Sequence, residues 1–190
     1  MALRKAFWGL IWIAAVPLLA LTPISGSQGG GQAPDLNSLS DNDLKTVTVR
    51  FERTRCYGTC PAYALTIHGD GRIEYVGTKY VQVADTREGQ IPSDVVRALL
   101  SEFAKAKFLA VPEDYSREKC NCRRCTDMPS AITELTVGPV SHRVNHYYGC
   151  ACAPKALFDL ESAIDKVVKA EQWTGDVSKQ GPFGTTCFGS

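Results

Sequence analysis

The cysteines constrain this chain more than any other feature. Eight of them fall in four places: Cys56 and Cys60; Cys120, Cys122 and Cys125; Cys150 and Cys152; and Cys187. An even set of clustered thiols reads as a disulfide framework in an oxidising compartment, and as a metal or redox set in a reducing one. The compartment therefore decides the chemistry.

The N-terminus speaks to that choice. Met1-Ala2-Leu3-Arg4-Lys5 is a short positive region, Ala6 to Leu21 carries no charge, and the small residues Ser25-Gly26-Ser27 follow. This is the layout of a secretory signal peptide, read here over residues 1–27. The apolar run is short for a membrane span, which needs roughly 20 residues, so no stable span is expected after cleavage; an uncleaved anchor is the alternative. An exported protein, periplasmic or secreted, is expected. Gln28-Gly29-Gly30-Gly31-Gln32 opens a stretch read as a flexible linker over residues 28–43. Residues 44–173 then form one α+β domain, and 174–190 a flexible tail. The formal charge of +1 gives no basic run, which argues against a nucleic-acid face.

Val47, Val49 and Phe51 alternate with polar residues, predicting a strand over 45–53. Tyr63, Leu65 and Ile67, the turn Gly69-Asp70-Gly71, and Ile73 with Tyr75 predict a hairpin. Val81 and Val83 suggest a further strand over Lys79 to Ala84. Pro92-Ser93-Asp94 opens a helix whose stripe is Val96, Leu99, Leu100 and Phe103. Ala131 to Val137 and Val140 to Tyr148 form a second hairpin turning at Gly138-Pro139. Ala153-Pro154 starts the last helix, with Leu157, Leu160, Ile164, Val167 and Val168 inward. The expected fold is an antiparallel sheet of about five strands with two helices packed on one face.

In an exported domain, disulfides are the first reading of all eight cysteines. Cys56 to Cys60 can close on itself by turning at Gly58. Such a five-residue ring contributes about 2 kcal/mol, against about 3.5 for a bridge of some thirty residues between the second and third clusters. The hairpin supplies a reason to join those clusters. Its two open ends are neighbours, so Cys120, Cys122 and Cys125 should lie near Cys150 and Cys152, with Asp127 close to the Tyr147-Tyr148-Gly149 turn. Zinc is the alternative cofactor, with four ligands drawn from these cysteines and His146, and Cys122, Cys125, Cys150 and Cys152 as the first such set. Cys122 and Cys125 have the two-residue gap common in zinc sites, but the one-residue gaps elsewhere do not fit. A redox pair at Cys56 and Cys60 would need two intervening residues rather than the three found here.

Arg53-Thr54-Arg55-Cys56-Tyr57-Gly58-Thr59-Cys60-Pro61-Ala62-Tyr63, followed by Gly69-Asp70-Gly71, Tyr75 and Gly77, resembles an uncharacterised bacterial domain family with a Cys-Tyr/Phe-Gly-Thr-Cys-Pro-x-Tyr motif. Thr126-Asp127 with Pro129, His146-Tyr147-Tyr148-Gly149, Ala153-Pro154 and Trp173 follow in the family's order. The resemblance covers about residues 45–173 and implies a small exported or envelope domain of unknown function. Cys120, Cys122, Cys125, Cys150, Cys152 and Cys187 are additions to the usual pattern.

Asp127 beside His146 would suit proton transfer. The simpler readings are an Asx-type turn at Thr126-Asp127 and a packed histidine sharing a strand face with Val140, His142, Val144 and Tyr148. No Gly-x-Ser-x-Gly elbow or phosphate loop occurs, so no catalytic residue is assigned. The expected function is a non-catalytic binding module. It would engage an envelope protein, glycan or small ligand through a rim of Arg53, Asp127, His146, Tyr147 and Tyr148. A zinc-binding or thiol-based enzyme at the Cys120–Cys152 cluster is the alternative.

Overall fold

The computed structural model describes residues 33–175. The stretch read as a signal peptide (1–27), most of the stretch read as a tail and Cys187 lie outside the described residues. No helix among the described residues is long and apolar enough to cross a membrane.

Seven strands form one sheet in the order β4-β3-β2-β1-β6-β7-β5. At its centre is β1 (Val47–Arg53), antiparallel to β2 (Ala62–His68) on one side and to β6 (Ser130–Val137) on the other. Its alternation is real burial: Val47, Val49, Phe51 and Arg53 face inward, while Arg50 and Glu52 are exposed. The hairpin of β2 and β3 (Arg72–Lys79) turns where Gly71 adopts φ 87°; a Cβ there would lie 2.0 Å from the Ile91 carbonyl oxygen. β7 (Val140–Tyr147) completes the second hairpin with β6, in register from Ser130↔Tyr147 to Val137↔Val140.

Two corrections concern the edges. Lys79 to Ala84 does not form a separate strand: β3 ends at Lys79, Tyr80 has a left-handed φ of 53°, and Val81 and Val83 pack on the core from a connecting loop. The outer strand is instead β4 (Thr86–Gln90), whose sequence Thr-Arg-Glu-Gly-Gln carries no apolar alternation and is held by backbone pairing to β3. At the other edge β5 (Asp114–Tyr115) pairs parallel to β7, so the sheet is mixed and larger than the expected five antiparallel strands.

Four α-helices accompany it among the described residues. The stripe of α2 (Ser93–Lys105) is buried as Val96, Leu99, Leu100 and Phe103. That of α3 (Lys155–Val167) is buried as Leu157, Leu160 and Ile164, with the charged Glu161 among them. Both join the inward strand residues in one core. Their apolar faces leave water together with the sheet's, which is the main stabilising term. α3 is not the last helix: α4 (Glu171–Thr174) follows, and its Trp173 stacks on Tyr75 with ring centroids 4.9 Å apart. The core also starts earlier than the 44–173 boundary. Leu36 and Leu39, inside the stretch read as linker, are buried, and Ser40 caps α1 (Asp41–Leu44) through a reciprocal bond with Asp43.

Candidate functional site

The residues that carried the family resemblance converge beneath α3. Arg53 ends β1, Tyr63 lies in β2, and His146 and Tyr148 stand at the end of β7; Glu161 and Asp165, one turn apart on α3, face them. Arg53 donates from Nε and Nη2 to Asp165 Oδ2 at 2.9 and 2.7 Å, and from Nη1 to the Tyr148 hydroxyl oxygen. Tyr63 donates to Asp165 Oδ1 at 2.5 Å. Tyr148 in turn donates to Glu161 Oε2 at 2.7 Å, and His146 Nδ1 lies 2.8 Å from Glu161 Oε1. A carboxylate accepts, so the proton between them sits on Nδ1. Arg53, Tyr63, His146, Tyr148, Glu161 and Asp165 thus form one continuous, largely buried hydrogen-bond network.

Burial sets its electrostatics. It pushes the Tyr148 phenol well above its ordinary value, and the Tyr63 phenol likewise, with Asp165 adding to the second. Burial disfavours the Arg53 charge, but Asp165, then the two tyrosines and Glu161, outweigh it and hold the guanidinium protonated. His146 is 0% exposed and packs edge-on against Phe158 at 4.4 Å. Its Nε2, the acceptor nitrogen of the Nδ1–H tautomer, is buried with no hydrogen-bond partner among the described residues. A general base must reach its substrate, and this ring is enclosed. The acid beside it is Glu161, which the sequence reading missed, and not Asp127. Asp127 is exposed on the far side of a turn with φ 68°, and it accepts from Thr126 Oγ1 at 2.9 Å rather than from a backbone N–H.

The alternate residues of the same stretch go elsewhere. Tyr147 leaves the main core for a small cluster with Cys120 and Cys150. Cys120 is bonded to Cys150 and Cys122 to Cys152, with Cα–Cα distances of 5.7 and 6.0 Å. The backbones meet as well: Cys125 N donates to Gly149 O at 2.9 Å, Ala151 N to Arg123 O at 3.0 Å, and Arg124 bridges Cys150 antiparallel. Tyr147 donates its hydroxyl to the Cys125 carbonyl at 2.9 Å. Only glycine fits at 149, where a Cβ would lie 2.4 Å from the Tyr147 ring and 2.6 Å from the Cys125 carbonyl oxygen. Four sulfurs, those of Cys120, Cys122, Cys150 and Cys152, lie within 4.8 Å of one another. Of the residues offered as zinc ligands, Cys120 rather than Cys125 joins this group; Cys125 is itself disulfide-bonded, and His146 is committed to Glu161 inside the core.

The third cysteine loop stands beside this hub. Cys56 and Cys60 are bonded with a Cα–Cα distance of 5.6 Å. Tyr57 N donates to the Asp127 carbonyl at 3.2 Å, and Thr54 and Ser130 extend the β1–β6 pairing to the loop's base. The Tyr57 side chain is 89% exposed. Nearby, Thr59, Tyr80, Val81 and Gln82 line a shallow open cleft of about 320 Å3. Of the expected rim, Asp127 lies at the surface, whereas Arg53, His146, Tyr147 and Tyr148 are buried.

A mixed sheet whose inward residues share one core with the helices, and disulfide-bonded loops at one end, define the class as an α+β domain. The chain belongs to the family described as Domain of unknown function (DUF6438), whose model matches residues 47–168. No curated protein matches it.

Proposed function

We propose that this chain is an exported, disulfide-stapled envelope domain acting as a binding module through the loop rim around Cys56–Cys60. The observation that carries the reading is Tyr57. Its ring is 89% exposed, yet its backbone is pinned by a disulfide and by a hydrogen bond to Asp127. A large aromatic held rigid in water loses little entropy on docking, which is the character of an interface anchor. Tyr80, 44% exposed, and the adjoining cleft extend the surface. The partner is an envelope protein, a glycan or a small ligand. Export is supported by the charge and hydropathy pattern of residues 1–27 and by the oxidised cysteines.

The test places a photoreactive side chain at position 57 in exported protein, with position 88 on the exposed β4 edge as control. A single product specific to position 57, with affinity falling at least about tenfold in Tyr57→Ala, is expected. The same products from both positions would overturn the reading.

A further inference from the structure

We infer that the cysteine hub is a two-state clamp: two disulfides when oxidised, and one zinc tetrathiolate on Cys120, Cys122, Cys150 and Cys152 when reduced. The inference is independent of the rim at Tyr57. Its first support is the spacing of sulfurs that are not bonded to each other. Cys120 and Cys122 are 3.4 Å apart, Cys122 and Cys150 3.7 Å, and Cys150 and Cys152 3.7 Å. Tetrahedral zinc with Zn–S bonds of about 2.3 Å requires sulfurs about 3.8 Å apart. The set therefore already has the required dimensions along three of its edges. Of the other three edges, the two bonded pairs must spread and the Cys120–Cys152 edge, within 4.8 Å, must adjust with them, which rotation about the Cα–Cβ bonds provides.

The second support is that the frame does not depend on the disulfides. The bonds Cys125 N to Gly149 O, Ala151 N to Arg123 O and Tyr148 N to Pro129 O, together with the Tyr147 hydroxyl on Cys125 O, hold the two Cys-x-Cys segments face to face. None of them involves a sulfur, so reduction breaks none of them directly. Preformed ligand positions spare the ion the ordering cost that a loose loop would impose. The third support is charge. A zinc tetrathiolate carries a net charge of −2, and Arg117, Lys119, Arg123 and Arg124 surround the first pair in sequence against the single acid Glu118. Cys120 and Cys150 are buried while Cys152 is exposed, so the group is shielded on one side and open on the other. The exposed member is where an ion or reductant would enter.

The step balances. Each disulfide takes two electrons and two protons from a dithiol, which becomes a disulfide, and the four resulting thiols release four protons as they bind one zinc ion. Thiolate is the ligand, so binding weakens as pH falls. The oxidised chain binds no zinc at this site.

The experiment reduces the full chain with a phosphine, adds zinc, removes the excess and measures metal, with cobalt as a spectroscopic substitute. One zinc per reduced chain is expected, with the sulfur-to-cobalt charge-transfer band of a tetrathiolate and none in the oxidised chain. Cys56→Ser/Cys60→Ser should keep the metal, and Cys122→Ser/Cys152→Ser should lose about nine-tenths or more of it. Circular dichroism accompanies each sample. Reduced protein that is folded without zinc and takes none up overturns the clamp, as does reduced protein that unfolds and is not refolded by zinc. Equal uptake by Cys122→Ser/Cys152→Ser overturns it too.

Discussion

Two structures at the same end of the sheet hold the chain by opposite means, and one stretch, from His146 to Cys150, feeds both. His146 and Tyr148 turn inward to Glu161 and Arg53, where five polar side chains and a histidine are held without a covalent link. Tyr147 and Cys150 turn the other way, into a hub closed by disulfides. At its buried members, Arg53, Tyr148, His146 and Glu161, a missing partner leaves an unsatisfied polar group, which is costly. The hub is nearer the surface and stabilises chiefly by restricting the unfolded chain. The difference is that the two should respond to different insults: the network to loss of a charge or to base, the hub to reductant.

The largest expected effect lies in the hub. Its two bridges each span 30 residues in sequence, yet they close nearly the same loop. The first closure contributes about 3.5 kcal/mol, and the second, which adds only a ring of a few residues, about 2. Removing either pair should therefore cost about 2 kcal/mol and removing both about 5.5, more than the sum of the single losses. Urea denaturation of Cys120→Ser/Cys150→Ser, Cys122→Ser/Cys152→Ser and the fourfold variant measures this. Additive losses would mean that the bridges restrain independent loops.

The network should come next. Glu161→Ala removes the acceptor of both His146 Nδ1 and the Tyr148 hydroxyl. A loss of about 3–5 kcal/mol is expected in the same denaturation experiment. Glu161→Gln, which keeps one acceptor oxygen and the volume, should recover about half of it. A loss under about 1 kcal/mol for Glu161→Ala would mean that water enters the site and the contrast with the hub fails.

How much of this was legible follows from where each signal resides. β1, both hairpins and the stripes of α2 and α3 announce themselves by period, since each puts one face in the core. β4 does not: Thr86–Gln90 is an edge strand specified by backbone pairing, and no side-chain pattern records that. β5 is two residues long and parallel, which local sequence does not encode. α1 was readable from Ser40 and Asp43 as a capping box, but the glycine-rich stretch before it drew the linker boundary too far. The hairpin geometry places Cys120 and Cys122 beside Cys150 and Cys152, whereas the two-residue gap between Cys122 and Cys125 points to Cys125, which is not one of the four clustered sulfurs. Glu161 was missed although it falls inside the stripe, four residues after Leu157 and three before Ile164. A charge in that register signals a buried partner, and that partner is the histidine.

Base separates the regions again, with a smaller effect. Burial pushes the Tyr75 phenol up to about 12 and raises those of Tyr63 and Tyr148 as well. A phenol with a raised folded-state value binds its proton more tightly in the native chain than in the unfolded one. Its contribution is thus fully present below the unfolded value of about 10 and is lost as pH rises through the folded one. The urea midpoint should stay flat to about pH 9 and fall from about pH 10 upward. Tyrosinate absorbance should rise together with unfolding. Ionisation of all seven tyrosines in a chain that stays folded would show that the network is open to water.

The smallest effect belongs to the rim, where stability and binding should part company. Tyr57 contributes to the fold through its backbone N–H on Asp127 O and through the Cys56–Cys60 ring, and neither involves its aromatic side chain. With that side chain 89% exposed, Tyr57→Ala removes almost no buried area and leaves no polar group unpaired. A change within about 0.5 kcal/mol is therefore expected in urea denaturation, far below either the network or the hub. On the binding reading proposed above, the same substitution is expected to lower affinity for a partner while leaving the fold intact. A stability loss above about 1 kcal/mol would mean that the ring packs back onto the domain, making Tyr57 a third structural fastener rather than an anchor for a partner.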